Sequence, residues 1–432
     1  MSLLTALAAL ALLQSPTRLT EAQMVADLDQ LVDVVAEQWS YAEDRREHSG
    51  LDLDALAAEM RERFAHLESD AEFVGLVRGF IARLEDGHAF VNWAGNESWP
   101  FRRWPFTVAD TADGLVITAL LPTWNGTPVP LEVGDILLAV DGEPVEARIA
   151  RKELRTNAST DGARRRWALA DVYNHTDPSQ YRVRRADGSE LEIQAHAAQG
   201  VQTVEEPAAA VEHRRLTEGV AYARIATFAH ADAKAWSAAR PEDRQTLLAG
   251  DRDALRAAIA AAQGCKALVL DLRGNGGGTD LLGMDVAVSL IGGKPVYYGL
   301  ASRGPSGAWS KPHFYEAKSA GTPPHFAGQL VVLIDEATFS ASDNLCRCLD
   351  DLHPDVTFVG RPTGGGTGAP RPAVTLAHSQ VTVGFCTMRV VGPKGELIDG
   401  RGTVPDVLVR PTRESVLAGR DLDLEAALRA VR

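Results

Sequence analysis

The sequence LVVLIDEATFSASDNLCRCL, residues 330–349, decides the fold of this chain. Its first part is apolar and β-branched up to Asp335, which predicts a short strand buried on both faces, and residues 344–349 have a helical pattern. Ser340 lies at the junction between the two elements. A hydroxyl at such a junction projects from the edge of the sheet, where the unpaired N–H groups of the first helical turn can face an oxyanion. The pattern therefore predicts either a nucleophilic serine or a serine that caps the helix.

A second buried strand pattern, residues 267–272, leads directly into the sequence RGNGGG of residues 273–278. Four glycines in five positions indicate a loop whose backbone can approach a ligand closely and present N–H groups. A phosphate-binding loop is the competing interpretation. It would need a lysine followed by serine or threonine, or the spacing of a dinucleotide fingerprint, and the segment has neither. We therefore do not expect a nucleotide site here.

A histidine follows the end of a predicted helix in the sequence LEDGHAFV, residues 84–91. A lone histidine after a glycine at a helix end is usually structural. However, an activated serine needs a base within hydrogen-bond reach. Of the 11 histidines in the chain, His88 has the most distinctive local context, so it is the candidate base.

Taken together, these three segments resemble the C-terminal processing peptidases and tricorn-type proteases, a family of serine peptidases whose α/β core is related to the crotonase fold. Residues 271–278 match the family's Asp-Leu-Arg-Xaa-Asn motif and the glycines that follow it. Residues 340–343 match its Ser-Ala-Ser-Glu motif, in which the first serine is the nucleophile. The resemblance covers most of the chain, and it implies that Ser340 attacks a peptide bond.

The chain resembles one branch of this family more than the other. Ser/Lys members carry a lysine base in a glycine-rich turn after the nucleophile, but the corresponding residues 360–367, GRPTGGGT, contain no lysine. Tricorn-like members use a histidine from a Gly-His step, which Gly87 and His88 supply. The resemblance therefore implies that His88 is the base for Ser340.

The resemblance also implies how the oxyanion is held and how the histidine is oriented. The N–H groups implied as oxyanion donors are those of Ala341 and of Gly277 or Gly278. Residues 397–406, LIDGRGTVPD, resemble a late family motif in which a glutamate often stands at the position of Asp399. Asp399 is then the acid that orients His88, with Glu396 as a nearby substitute. The alternative role for Asp399 is that of a turn residue.

The apolar pattern divides the chain into four parts. Residues 1–20 contain an apolar run with the length of a signal-peptide core, and residues 21–100 predict an N-terminal bundle of three amphipathic helices that ends in the Asp-Gly-His motif. Residues 101–200 resemble a PDZ module, and residues 213–420 alternate strands with helices as the α/β peptidase core. The PDZ-like module either binds peptide termini by strand addition or packs against the core as a lid or spacer.

Composition restricts the possible partners. The chain has 432 residues, of which 45% are hydrophobic and 24% charged, and its net charge of −14 makes nucleic acid an unexpected partner. The apolar run of residues 3–13 is too short to span a bilayer, so we do not expect membrane insertion. This run is consistent with export to the periplasm or the cell exterior. Because no Lys or Arg precedes it, a cytoplasmic location is the alternative.

Cysteine placement bears on metals and cofactors. The four cysteines lie in predicted strands or helices, which favours buried free thiols over disulfides, and no histidine pair completes a zinc site. We expect no metal and no cofactor. Two functions remain: a serine peptidase that hydrolyses peptides or proteins by acyl transfer, or a noncatalytic protein that binds apolar ligands or peptides on the same scaffold. Ser340, His88 and the glycine loop together favour the enzyme.

Overall fold

The structure is a computed structural model that describes residues 18–94, 106–121, 123–124, 126–169, 179–195, 209–304, 307–319, 321–368, 370–398 and 400–432. Over these ranges the chain is a mixed α/β protein with two six-stranded sheets. None of the helices in the described ranges has both the length and the apolar character needed to cross a membrane.

From residue 18, where the described part of the chain begins, four helices precede the first strand: α1 (Glu21–Gln38), α2 (Ala42–Ser49), α3 (Leu53–Phe64) and α4 (Asp70–Arg83). Apolar periodicity predicts α1, α3 and α4. It does not reveal α2, because the sequence AEDRREHS offers no apolar face. One residue of α2, Arg45, is nevertheless buried.

These helices share their core with strands from the far end of the chain. Strand β1 (Phe90–Asn92), just after His88, pairs antiparallel with β18 (Thr382–Cys386), which also pairs with β17 (Pro370–Thr375). Apolar side chains of this sheet and of the helices form one cluster. The N-terminal helices therefore bury their apolar faces with the help of residues that follow Ser340.

The central sheet has the strand order β10 (Val211–Thr217), β11 (Val220–Ile225), β12 (Ala267–Asp271), β15 (Gln329–Ile334), β16 (Val356–Gly360) and β20 (Val407–Leu408). β10 and β11 are antiparallel, and the other pairs are parallel. Side chains alternate between two cores. Leu268 and Leu270 face α9 (Ala249–Ala261), α10 (Asp280–Ile291) and α11 (Ala341–Leu352), whereas Val269 faces α13 (Leu422–Ala430). Burial on both faces explains the continuous apolar runs, and the predicted strands at residues 267–272 and 330–335 are confirmed.

The second large sheet is antiparallel and encloses its own core. Its strands are β2 (Phe106–Thr111), β3 (Gly114–Leu120), β6 (Ile136–Val140), β8 (Ser179–Arg184) and β9 (Glu190–Ala195), with β7 (Glu143–Pro144) beside β6. Two helices, α5 (Val145–Glu153) and α6 (Asp161–Leu169), belong to the same part of the chain, as does the short pair β4 (Thr123–Trp124) and β5 (Thr127–Pro128). A further short helix, α12 (Arg413–Leu417), contacts this unit near Gly134.

The segment 292–327, whose Gly, Pro and aromatic residues predict a long surface excursion, contains regular structure. Strands β13 (Val296–Ser302) and β14 (His313–Glu316) form a three-stranded sheet with β19 (Met388–Val391). Alternating burial along β13 shows one face packed inward, while β14 is exposed. Two short helices, α7 (Ala233–Ala238) and α8 (Arg244–Leu247), lie between β11 and α9.

Candidate active site

Ser340 lies in a sharp turn between strand β15 and helix α11. It occupies the N-cap position of α11 with φ 58° and ψ −124°, but its hydroxyl accepts no N–H of the first turn. Such a backbone costs about 1–3 kcal/mol in a non-glycine residue and persists only where the surroundings fix it. Here the Ser340 N–H donates to the Gly365 carbonyl (2.9 Å), and the preceding Phe339 N–H donates to the Asn275 carbonyl (3.0 Å). The turn therefore directs the hydroxyl away from a capping role.

His88 meets Ser340 across 252 positions of sequence, with 3.1 Å between His88 Nε2 and Ser340 Oγ. The imidazole stacks on the Phe339 ring at a centroid distance of 4.8 Å. Burial lowers the pKa of His88, and the Asp86 carboxylate acts in the opposite direction. A neutral imidazole is thereby favoured, and its Nε2 can accept the serine proton. Within the described structure, the buried Nδ1 of His88 has no hydrogen-bond partner.

Asp86 holds the turn that carries His88. Its carboxylate is fully buried and accepts three N–H groups: the backbone N–H of His88 (3.0 Å), the backbone N–H of Cys386 (2.9 Å) and the indole N–H of Trp39 (3.2 Å). These donors come from the turn itself, from strand β18 and from the residue that follows α1. The sequence pattern did not reveal this role, although the acid stands two residues before the predicted base.

A short segment between α5 and α6 supports the same turn from another side. Ser159 Oγ accepts the Gly87 N–H (2.9 Å), and Asn157 Nδ2 donates to the carbonyl oxygens of Asp86 (3.3 Å) and Ala89. A Cβ at Gly87 would lie 2.8 Å from Ser159 Oγ, so this position has no room for a side chain. The sequence suggests Gly87 as the end of the helix, but Glu85, with φ 55°, has the left-handed conformation instead.

The glycine loop lies directly against the serine. Gly277 has φ 90°, and a Cβ there would be 2.8 Å from Ser340 Cβ and 2.9 Å from the Ala341 nitrogen. Its own N–H donates to Asn275 Oδ1 (2.9 Å). No described residue accepts a hydrogen bond from the backbone N–H of Gly278 or of Ala341. Of the two glycines suggested as donors, Gly278 is therefore the one whose N–H remains available.

Asp343, which stands at the acid position of the Ser-Ala-Ser-Glu motif, is tied into the scaffold. Its Oδ1 accepts the Thr363 hydroxyl (2.5 Å) together with the hydroxyl (3.1 Å) and N–H (3.2 Å) of Thr403. Burial raises the pKa of Asp343. The side chain thus connects the first turn of α11 to two loops beside the site. Nothing in the spacing of Thr363 and Thr403 could have revealed this contact.

Three acids of residues 396–406 differ in position, and two of them, Asp399 and Glu396, are the suggested partners of the histidine. Asp399 lies outside the described residues. Glu396 Oε1 is 3.1 Å from Arg347 Nε on α11, so this carboxylate is engaged in an ion pair. Asp406 Oδ2 accepts the Phe358 N–H (2.7 Å), in keeping with a structural role. Glu396 is therefore not a substitute for Asp399 in this structure.

Among the described residues, one group of three has the composition to ligate a metal. Asp86, His88 and Cys386 each place a potential ligand atom within 4.8 Å of the others. The Asp86 oxygens already accept three N–H groups, and His88 Nε2 faces the serine. Hydrogen bonding within the protein accounts for the cluster. All four cysteines lie buried as free thiols, as the sequence predicts.

Comparison with known proteins relates part of the chain to a known family. Residues 219–409, which include Ser340 and the glycine loop, match the family model of peptidase family S41. No curated protein matches the chain. The fold is similar to that of mature CPAF complexed with lactacystin, with 17% identity and a TM-score of 0.75 over 95% of this chain and 97% of that chain.

A second structure of mature CPAF has 17% identity and a TM-score of 0.73, covering 92% of this chain and 94% of that chain. At these identities the similarity concerns the fold alone. The family match over residues 219–409, a little under half of the chain, agrees with the resemblance seen in the sequence and favours a peptidase over the noncatalytic alternative. The part of the chain that carries Ser340 and the glycine loop is thus similar to peptidase family S41.

Proposed function

We propose that Ser340 and His88 form the catalytic pair and hydrolyse peptide bonds in peptide or protein substrates through an acyl-enzyme. The observation that carries this proposal is the distance of 3.1 Å between His88 Nε2 and Ser340 Oγ. Ser340 Oγ attacks the carbonyl carbon while Nε2 takes its proton, and the imidazolium then protonates the leaving amine. A water molecule deprotonated by the same nitrogen releases the acyl group and restores the serine.

The oxyanion is held by the N–H groups of Ala341 and Gly278. Ala341 is the first residue of α11, so the positive end of the helix dipole also faces the developing charge. Gly277 does not donate a hydrogen bond to the oxyanion, and its role is to leave room beside Ser340. It lets the loop approach Ser340 closely, while Asn275 fixes its backbone.

Asp399 remains our proposal for the acid that orients His88. The neighbouring Gly400 supports this position, because a Cβ on it would lie 2.1 Å from Arg45 Nη2. The same Arg45 atom donates to the Glu85 carbonyl (3.1 Å), three residues before His88. The backbone beside Asp399 is thus close to the turn that carries the base.

We further propose the domain organisation inferred from the sequence: an N-terminal helical bundle in residues 21–100, a PDZ-like module in 101–200 and a crotonase-like core in 213–420. The parallel strands β11, β12, β15 and β16 with helices on both faces support the core. The separate cluster beneath β2, β3, β6 and β8 supports an independent module. The nucleophile and the base come from different parts of this organisation.

A fluorophosphonate probe tests the catalytic proposal without knowledge of the substrate. We expect the probe to label the folded wild-type protein and not Ser340→Ala. Denatured protein serves as a second control, because only a nucleophile activated by its surroundings should react. A folded wild-type protein that stays unlabelled would favour a noncatalytic peptide-binding or ligand-binding role.

The glycine loop gives a separate prediction. Gly277→Ala should reduce kcat about 100-fold and lower the Tm, because its Cβ would meet the Phe339 carbonyl oxygen at 2.6 Å and force the serine turn to move. Gly276→Ala is the matched control, since a Cβ there meets nothing within 4 Å. Steady-state hydrolysis and thermal unfolding of both variants would check this. Equal activity in the two variants would contradict the proposed role of the loop.

A further inference from the structure

Asp86 lies in the same turn as the proposed base, and a ring nitrogen of His88 lies within 4.8 Å of an Asp86 carboxylate oxygen. No carboxylate of the described residues accepts a hydrogen bond from His88 Nδ1. We infer that Asp86 is a positioning residue that fixes the His88 turn and supplies, through space, a negative charge that stabilises the imidazolium. This inference rests on the proposed function of His88.

The geometry leaves the Asp86 carboxylate little freedom. Three N–H donors from different parts of the chain hold it at 2.9 to 3.2 Å, and its side chain is fully buried. One donor is the His88 backbone N–H, so the acid also fixes the position of the backbone from which the imidazole projects. A fixed charge in a site shielded from water acts more strongly than the same charge in solvent.

Other charges near the turn are compensated. The titratable and charged side chains around His88 are Glu85, its partners Arg45 and Arg164, the Asp86 carboxylate and the Cys386 thiol. Glu85 lies 3.9 Å from Arg45 and 3.1 Å from Arg164. Phe339 and Ser340, which pack on the ring, carry no charge. Asp86 is thus the nearby carboxylate whose charge acts on the imidazole, in agreement with its upward effect on the pKa of His88.

This role predicts a particular response to pH. Protonated His88 cannot act as a base, so kcat/KM should fall as the pH drops through the pKa of His88. The Asp86 carboxylate raises this pKa and partly opposes the effect of burial. The fall in kcat/KM at low pH is the acid limb of the pH profile. Asp86→Asn should therefore move this acid limb to lower pH by about one unit. It should also lower kcat about 10- to 100-fold with little change in KM, because the charge acts on the imidazolium of the transition state.

The control is Trp39→Phe, which removes one hydrogen bond to Asp86 Oδ2 and keeps the charge. We expect its acid limb to stay at the wild-type pH. In Asp86→Asn, the new side-chain amide would face the N–H donors whose hydrogen bonds Oδ2 now accepts. If Asp86→Asn does not fold, the Trp39→Phe/Asp86→Asn variant removes one of these donors and tests the same charge.

The outcomes separate this inference from the function on which it rests. A wild-type profile without an acid limb would overturn the proposed base. A normal wild-type limb that Asp86→Asn leaves in place would overturn only the role of Asp86. Asp399→Asn, measured in parallel, shows which acid acts: a shift in that variant alone assigns the charge to Asp399 and not to Asp86.

Discussion

Ser340→Ala is expected to lower kcat by about four to six orders of magnitude and to leave the fold intact. The hydroxyl is the nucleophile in the proposed mechanism, so its loss removes the covalent step. It caps no N–H of helix α11, so little stability depends on it. Alanine retains the Cβ and therefore the same backbone strain at φ 58°. Hydrolysis of a fluorogenic peptide or a labelled protein, together with thermal unfolding, would measure both effects.

Ser342→Ala is the matched control for this experiment. Ser342 lies two residues further along the same helix, and its buried hydroxyl has no hydrogen-bond partner among the described residues. Its removal should leave activity within a few-fold of the wild type and should not lower the Tm. Hydrolysis that survives Ser340→Ala would show that another residue is the nucleophile.

His88→Ala should reduce kcat about as severely as Ser340→Ala, because a nucleophile and its base act as one unit. The Ser340→Ala/His88→Ala variant should be no slower than either single variant. Stopped assays at high enzyme concentration can measure the small residual rates. A double variant clearly slower than both would mean that a different group activates the serine.

The pH profile of the wild-type protein tests the same base independently. Burial lowers the pKa of His88, so the neutral imidazole should persist, and activity should be retained, below the usual histidine value of about 6.5. His353→Ala is a suitable control. His353 caps the other end of α11, about 18 Å from Ser340 along a 12-residue helix. Its loss should leave the acid limb in place, and a limb that disappears in His353→Ala would contradict the assignment to His88.

The central sheet could be predicted from sequence because its pattern is unambiguous. Strands β11, β12 and β15 are apolar at every buried position except Asp271, and their apolar side chains divide between two cores. Segments without a buried apolar face were harder to predict from sequence. Helix α2 consists almost entirely of polar residues, and β14 is exposed along its whole length. Apolar periodicity arises from burial. It therefore does not predict an element that is held by polar contacts or lies on the surface.

The candidate site, like the fold, could be predicted from sequence only in part. Ser340 and His88 were found from local context and family resemblance, and the structure places their side chains in contact. Their contact depends on the pairing of β1 with β18, which no local pattern specifies. The choice between Gly277 and Gly278 depends on which N–H Asn275 occupies. The sequence pattern places Asp86 only at the end of a helix, because its three N–H donors come from separate parts of the chain.

The pairing of β1 with β18 also has a consequence for the order in which the parts of the proposed catalytic site are assembled. During translation Ser340 and the glycine loop emerge before residues 382–386, the strand that β1 and the Asp86 carboxylate bind. At ordinary elongation rates this interval is on the order of a few seconds. Until then His88 has no fixed place beside the serine. We therefore expect a nascent chain to carry Ser340 before its proposed base is in place, and to lack hydrolytic activity until residues 382–386 have emerged.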